Sequence, residues 1–280
     1  MAIHVFTDSA SDIVGNQNPN LTVLPITITF DGTEYKDGVT LSHTQFYEKL
    51  IESDNLPTTS QISPYDFEQA IRPYVEQGDD VVIVTMSSKL SGTFQSANIA
   101  ADEFEGHAFV VDSKNVSVGE HVVVEQALRL IEQGKSASEI ARICTNLADN
   151  VHIIALLDTL EYLKKGGRIS KVEAFAGNML SIKPVVGVVD GEVKVLGKAR
   201  GSKQGNNLIA QKISETAGID FDMPYYLGYT GLSDALLMKY IKDNAGLWEH
   251  GADSLDVTTI GGTIGTHVGP GAIAVAFVSL

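Results

Sequence analysis

Hydroxyl side chains are concentrated in the stretch SSKLSGTFQSA, residues 87–97. The preceding apolar run VVIVTM predicts a buried strand, and the following residues have helical spacing. Ser91, Gly92 and Thr93 therefore lie where a helix begins, and the unpaired N–H groups of a helix N-terminus attract anions. Gly92 would let a ligand approach the backbone, and the two hydroxyls would help to bind a carboxylate or a phosphate. The alternative is that Ser91 only caps its helix, and the two interpretations are compatible.

Two further polar segments adjoin predicted elements. The segment PTTSQISP places Thr59 and Ser60 in a polar loop just ahead of a helix that Ser63 and Pro64 would begin. The segment TDSASD follows the first predicted strand. Asp8 in this segment could bind a metal, but Asp and Ser at the end of a strand are more often turn and cap formers.

A histidine near the end of the chain suggests a different chemistry. In the segment IGTHVGPGAIAVAF, His267 is predicted to lie in a glycine-rich turn before an apolar strand. Histidine can donate to a carboxylate or act as a base, so Ser91 and His267 together suggest a serine hydrolase. Against this, Ser91 lacks the G-x-S-x-G pattern of a nucleophile elbow, and the sequence assigns no carboxylate to orient the histidine.

A basic cluster stands out in an acidic chain. The formal net charge is −15, which argues against a general nucleic-acid-binding protein. In contrast, residues 160–205 contain nine Lys or Arg against four Asp or Glu, with Lys164, Lys165, Arg168 and Lys171 close together. This cluster is either a solvated surface or a docking site for an acidic partner.

The pattern of elements predicts an α/β protein with two domains. In the first half, strand-like runs such as AIHVFTD, TVLPITITF and AFVVDS alternate with helical runs, which indicates a mainly parallel sheet with helices on both faces. Capping boxes at Ser42 and Ser136 mark two helix starts. The second half contains an antiparallel hairpin that turns at Asp190-Gly191. We place the boundary near residue 155, giving domains 1–155 and 156–280, with a ligand cleft expected between them.

The bulk composition limits the remaining possibilities. Cys144 is the single cysteine of the 280 residues, so an intrachain disulfide is impossible, and its helical face predicts a buried thiol. The sequence starts directly with a strand pattern, and no apolar run is long enough to span a bilayer, so we expect a cytoplasmic protein that is not integral to a membrane. The phosphate-binding motif G-x-x-x-x-G-K-[ST] does not occur.

The motifs together resemble one family. The ordered set TDSASDI, TTSQISP, SSKLSGTFQSA, LEYLKKGGRIS and GTHVGPGAIAVAF is similar to the DegV family of bacterial fatty-acid-binding proteins, also called FakB. Each motif is weak alone, but their order is specific and they span nearly the whole chain. A glycine is sometimes seen late in the last motif, where this chain has Ala274.

The resemblance implies a binding protein that is not itself an enzyme and needs no cofactor. It implies a two-domain α/β fold that holds a long-chain fatty acid between its domains and presents the carboxylate to a separate fatty acid kinase, which forms an acyl phosphate. The carboxylate would be held by Ser91, with Gly92 and Thr93, by Thr59 or Ser60, and by His267. Arg168, with Lys164 and Lys165, would belong to the surface that meets the kinase.

Overall fold

The computed structural model describes residues 2–169, 182–248, 251 and 255–280. The strands in these ranges are β1 (Ile3–Asp8), β2 (Leu21–Leu24), β3 (Thr27–Phe30), β4 (Thr33–Lys36), β5 (Thr58–Ser60), β6 (Asp80–Thr85), β7 (Ala108–Asp112), β8 (Val151–Leu156), β9 (Ile182–Val189), β10 (Glu192–Arg200), β11 (Tyr226–Tyr229), β12 (Val257–Thr259) and β13 (Ile273–Val278). The α-helices are α1 (His43–Glu52), α2 (Pro64–Glu76), α3 (Thr93–Ala101), α4 (Val118–Glu132), α5 (Ala137–Leu147), α6 (Glu161–Lys165), α7 (Gly201–Glu215), α8 (Ala235–Asp243) and α9 (Gly262–Val268). None of the helices in these ranges has both the length and the apolar character that crossing a membrane requires.

The first sheet is parallel. Its strand order is β2-β1-β6-β7, and all three pairings run in the same direction. The residues of β6 from Val81 to Val84 are buried and β-branched, as is typical of a parallel strand covered on both faces. One pair of helices, α2 and α3, and a second pair, α4 and α5, pack on this sheet. The predicted α/β arrangement of the first half is confirmed.

The second sheet has the order β10-β9-β8-β13-β11-β12, and its pairings are antiparallel except for β11 with β12. The β9–β10 hairpin turns at Asp190 and Gly191, whose φ angles are 51° and 80°. Two consecutive positive φ values match the two-residue turns that suit the twist of a hairpin. Helix α7 packs on β8, β9 and β10, and α8 contacts β11. The predicted antiparallel hairpin is therefore confirmed.

A third, small sheet corrects two sequence predictions. It is antiparallel, with the order β4-β3-β5. The segment around Thr59 was predicted as a loop, but it forms β5, which is stabilised by pairing with β3 and is too short to show an alternating pattern. The run TVLPITITF was predicted as one strand, but Pro25 lies between β2 in the first sheet and β3 in the third. Proline has no N–H group to donate to a sheet, so the strand is interrupted there.

The two halves share a core. Helix α4 contacts β1 and β6 of the first sheet and also β8 and β13 of the second. The largest apolar cluster accordingly includes Val82 from the first half and Ala274 from the second. Strand β8 spans the predicted boundary at residue 155 and pairs with β9 and β13. The division into domains 1–155 and 156–280 stays a prediction.

The helix starts that depend on local sequence are as predicted. Ser42 and Ser136 form capping boxes with Gln45 and Glu139. Ser63 caps α2, whose first residue is proline. The single cysteine is buried on α5, and burial raises the pKa of its thiol to about 12. A thiol in this state is a packing group and not a nucleophile.

Candidate functional site

A cavity of about 360 Å³ brings most of the predicted site residues together. Four of its polar lining residues are central to the argument, and we call them the polar end: Thr59, Ser91, Arg168 and His267. Ser60 and Gly92 also line this cavity. The rest of the lining comes from both halves of the chain: Ile26, Gln61, Met86, Leu90, Val116, Leu163, Val193, Thr263, Ile264 and Val268.

Ser91 lies on the loop between β6 and α3. The helix N-cap is Gly92, so the expectation that Ser91 caps the helix is corrected: Ser91 lies one residue earlier. Its Oγ accepts a hydrogen bond from the N–H of Thr93 at 3.2 Å and lies 2.9 Å from Thr93 Oγ1. Thr93 is fully buried. If its hydroxyl also donates to Ser91, the proton of Ser91 is free to point into the cavity toward an acceptor.

Gly92 permits close contact with the side chain of Gln61, a residue that was not predicted to belong to the site. A Cβ atom at position 92 would lie 1.9 Å from Oε1 of Gln61. The amide of Gln61 is held in place, because its Nε2 donates to Ser96 Oγ at 3.0 Å. Any other residue at position 92 would displace Gln61 from the cavity wall. The sequence feature that indicates a role for Gln61 in the site is its position in TTSQISP, two residues after Thr59.

His267 lies in α9 and not in the glycine-rich turn that was predicted. The helix packs closely at its glycines: a Cβ at Gly262 would lie 2.5 Å from Ile28 Cδ1, and a Cβ at Gly265 would lie 2.6 Å from Phe46 Cε1. Such tertiary packing overrides the low helix propensity of glycine. The ring Nε2 of His267 lies 3.2 Å from Thr59 Oγ1, which joins α9 to β5.

The imidazole of His267 is neutral near pH 7. Burial, and secondly the charge of Arg168, lower its pKa to about 4. In the described part of the chain, its Nδ1 is buried without a hydrogen-bond partner. A triad histidine needs a carboxylate at this nitrogen and a serine at the other, whereas Nε2 contacts Thr59 and Ser91 is bonded to Thr93. The arrangement does not support the hydrolase alternative.

Arg168 is placed differently from Lys164 and Lys165, the two lysines of the same basic cluster. Its Nε donates to the carbonyl of Leu90 at 3.2 Å and its Nη1 to the carbonyl of Gly166 at 2.7 Å. These bonds hold the guanidinium between the cavity and an adjoining surface cleft of about 380 Å³. Lys164 and Lys165 are exposed at the end of α6. Lys171 lies outside the described residues.

An apolar slot continues from the cavity. Val116, Leu163, Val193, Ile264 and Val268 line both spaces, so the two are adjacent. The slot has a volume of about 60 Å³, and its other lining residues, mostly from the second sheet, are Ser117, Ile153, Ala155, Leu157, Val186, Gly187, Val188, Ile260, Ala272 and Ala274. Hydrogen-bonding groups at one end and an apolar slot at the other suit a ligand with a polar head and an apolar tail.

Comparisons with known proteins agree with the sequence motifs. The model of the DegV family matches residues 2–280. The chain belongs to the DegV family. A DegV domain-containing protein of Caldanaerobacter subterraneus is 33% identical over 291 residues, covering 98% of each chain. A fatty-acid-binding DegV family protein from Thermus thermophilus has a TM-score of 0.89 at 32% identity, covering 100% of both chains. A stearic-acid-binding protein from Eubacterium ventriosum has a TM-score of 0.85 at 26% identity, covering 100% of this chain and 98% of that one.

Ala274, where the DegV motif sometimes has glycine, lines the apolar slot. It is on β13, between Gly228 of β11 and Ala155 of β8 in the register of the second sheet. Ala274 is 2% exposed, whereas Ala155 is only partly buried. Small side chains at these paired positions leave space between the sheet and α9.

Asp8 of this DegV family chain forms a cap. Its carboxylate accepts hydrogen bonds from the N–H groups of Ala10 and Met86, both at 3.0 Å. The residue is fully buried, and burial raises its pKa to about 6. These bonds support the turn after β1 and the segment after β6. The described residues contain no group of three or more His, Cys, Asp or Glu side chains that could hold a metal ion.

Proposed function

We propose that this protein binds one long-chain fatty acid, with the carboxylate at the polar end and the acyl chain along the apolar slot. The observation that carries the proposal is the direct connection between a set of hydrogen-bonding side chains and an apolar slot. The Thermus thermophilus and Eubacterium ventriosum relatives, which bind fatty acids, support it. Each buried CH₂ group contributes about 0.8 kcal/mol, so the acyl chain supplies most of the affinity.

The carboxylate needs donors, because an ionised carboxylate only accepts hydrogen bonds. Ser91 can donate its proton, since its oxygen accepts from Thr93. Thr59 can do the same if the Nε2–H of neutral His267 donates to its oxygen. Thr59 rather than Ser60 is the donor that we propose, because neighbouring side chains of a strand point to opposite faces and Thr59 is the one that meets His267.

The acyl chain enters a slot that is narrow. A volume of about 60 Å³ is small for a long chain, so binding requires side chains at the junction, such as Leu163 and Val193, to change position. Leu163 is buried on α6 and Val193 is partly buried on the hairpin. Both line the cavity as well as the slot. Their displacement would open a continuous path from the polar end.

We further propose that the protein is a binding subunit that presents the bound carboxylate to a separate fatty acid kinase, without a cofactor of its own. The chain has no phosphate-binding motif of the G-x-x-x-x-G-K-[ST] type. The guanidinium of Arg168 lies between the cavity and a surface cleft that Lys89 also lines. Lys164 and Lys165 are exposed in the last turn of α6, just before Arg168 in the chain. A positive surface around the opening suits an acidic partner that must reach the carboxylate.

Titration of the lipid-free protein with octadecanoate tests the binding site. Ser91→Ala should weaken binding about 10- to 150-fold, because a hydrogen bond to a charged group contributes about 1.5–3 kcal/mol. The matched control is Ser88→Ala, an exposed serine of the same loop, which should bind like the wild type. Equal affinities for the two variants would remove Ser91 from the site. Hydrolysis of activated acyl esters that is lost in Ser91→Ala would favour the esterase instead.

A second pair of variants distinguishes the two candidates on β5. Thr59→Val removes the hydroxyl that contacts His267 and should weaken octadecanoate binding about tenfold or more. Ser60→Ala should have the smaller effect: Ser60 also lines the cavity, but it is exposed, and Thr59 is the residue whose hydroxyl contacts His267. The reverse order of effects would assign the contact to Ser60.

A further inference from the structure

Helix α9 carries His267 but has little intrinsic stability. It has only seven residues, and three positions at its start or within it are glycines: Gly261, Gly262 and Gly265. Isolated helices of this length do not form in water, and the first N–H groups of any helix lack partners within it. The N-cap residue is Gly261, which has no side chain to supply a partner. The helix therefore depends on groups from elsewhere in the chain.

Two buried carboxylates supply these partners. Asp12 Oδ1 accepts from the N–H of Gly261 at 2.7 Å. Asp37 accepts from Gly262 N at 3.1 Å through Oδ1 and from Thr263 N at 3.0 Å through Oδ2, which also accepts from the hydroxyl of Thr263. Asp12 and Asp37 are only 1% and 2% exposed. These hydrogen bonds satisfy N–H groups that the first turn of α9 leaves without partners, and they bind the last helix to the first part of the chain.

The same network also fixes the strand that pairs with β5. Ser9 Oγ donates to Asp37 at 3.2 Å and accepts from the N–H of Ile26 at 3.0 Å, just before β3. Strand β3 pairs with β5, where Ile28 is opposite Thr59. Asp37 is thus connected through α9 to His267 and through Ser9 and β3 to Thr59. The two members of the 3.2 Å contact in the polar end are held by one carboxylate.

We infer that Asp37, assisted by Asp12, is the positioning residue of the polar end: it anchors the first turn of α9 so that His267 stays against Thr59. The inference rests on the proposed fatty acid binding. Asp37 does not line the cavity and acts only through α9 and β3. Loss of one of its acceptor positions would let α9 shift, which would separate His267 from Thr59 and admit water to the ring.

Asp37→Asn tests this, because the amide keeps one oxygen but places an NH₂ group against an N–H donor. The direct readout is the titration of the histidine rings by NMR. In the wild type, burial and the charge of Arg168 lower the pKa of His267 to about 4. We expect the variant to move this pKa toward the ordinary value of 6.5. His121, whose pKa burial lowers to about 4 where it stacks on Tyr226, should not change and serves as the internal control.

Glu120→Gln is the matched control variant. Glu120, on α4, is also fully buried, and its Oε1 accepts from Thr7 Oγ1 at 2.9 Å, a hydrogen bond that involves neither α9 nor β3. Burial and the charge of Asp8 raise its pKa well above the usual range, so glutamine closely imitates its protonated form. This variant should leave the His267 titration and the octadecanoate affinity unchanged. Asp37→Asn should weaken octadecanoate binding about tenfold, as expected for the loss of one buried hydrogen bond.

An unchanged His267 titration in a folded Asp37→Asn protein would overturn the inference, even if the variant were less stable. If that variant does not fold, Ser9→Ala replaces it: it removes one bond to Asp37 and the bond to Ile26, and it should shift the pKa of His267 in the same direction by less. Absence of a shift in Ser9→Ala would then count against the inference. A wild type that fails to bind fatty acid would refute the proposed function, whereas the titration, which needs no ligand, would still decide the positioning role.

Discussion

The polar end and the apolar slot are built in different ways. The polar end combines side chains from four separate segments, namely the loop with Ser91, the strand with Thr59, the segment after α6 with Arg168 and the helix with His267. Individual hydrogen bonds join Thr59 to His267 and Arg168 to the carbonyl of Leu90 beside Ser91. The slot is formed mainly by neighbouring positions of one sheet, where small residues such as Ala155 and Ala274 leave space. The difference implies that the polar end is sensitive to the loss of single atoms, whereas the slot is sensitive to added volume.

Filling the slot should have the largest effect. Ala155→Leu adds three carbon atoms at a partly buried position that lines the slot. If the added side chain excludes about five methylene groups, the loss is roughly 4 kcal/mol, or about a thousandfold in octadecanoate affinity. Hexanoate, which would leave the far part of the slot unused, should bind the variant and the wild type within a few-fold of each other. Parallel losses for both acids would show that the variant disturbs the polar end instead.

The comparison between the polar end and the apolar slot also depends on Arg168, because this residue lies where the cavity meets the surface. Arg168→Ala should slow acyl-phosphate formation by an added fatty acid kinase tenfold or more. The reason is that a guanidinium can bind a carboxylate or phosphate group of the partner through two parallel hydrogen bonds. Octadecanoate binding should change much less, and Lys242→Ala, at an exposed lysine on α8, is the matched control. The wild-type rate should fall as salt is added. An Arg168→Ala protein that loses the fatty acid but reacts normally once loaded would assign Arg168 to ligand binding alone.

A smaller effect is expected in the pH dependence of stability. The folded-state pKa of His267 is about 4, below its ordinary value of 6.5, so between these values the unfolded chain binds more protons. The contribution of His267 to the free energy of unfolding is therefore fully present above pH 6.5, where the ring is neutral in both states. It is lost progressively as the pH falls toward 4. Between pH 8 and pH 5 the loss should be roughly 1–2 kcal/mol, and His267→Gln should lack it.

Denaturant unfolding of the wild type and of His267→Gln at both pH values measures this difference. The paired comparison is needed because the raised pKa of Asp8, about 6, acts in the opposite direction over part of the same range. Burial also lowers the pKa of His121 to about 4. The variant His121→Gln therefore shows how much a buried histidine outside the polar end contributes to the pH dependence of the free energy of unfolding. Identical pH profiles for wild type and His267→Gln would mean that the ring is not buried in the folded protein.

The features that the sequence predicted well are those encoded by nearby residues. The hairpin turn at Asp190-Gly191 depends on two adjacent residues that tolerate positive φ. The capping box at Ser42 depends on a glutamine three residues later. The buried strand β6 is a continuous run of β-branched residues. Each of these signals lies within a few neighbouring residues of the chain, so no knowledge of the tertiary structure is needed to recognise it.

The features that the sequence missed depend on distant contacts. His267 was predicted in a turn because its neighbours are glycines, and the helix exists because Asp12 and Asp37 hold its start from more than 220 positions away in the chain. Thr59 lies in a strand of three residues that pairing with β3 stabilises. Arg168 lines the cavity because its guanidinium bonds to the carbonyl of Leu90, 78 residues earlier. The residue types of the polar end were recognisable, but their partners were not.

Extraction of the purified protein with organic solvent, followed by mass spectrometry, is the most direct test of fatty acid binding. We expect recovery of a long-chain fatty acid in a ratio approaching one per protein chain. Ala155→Leu, prepared in the same way, should release much less or a shorter chain. Recovery of no acyl chain from the wild type, together with no binding of added octadecanoate to the folded protein, would show that this protein does not bind fatty acids.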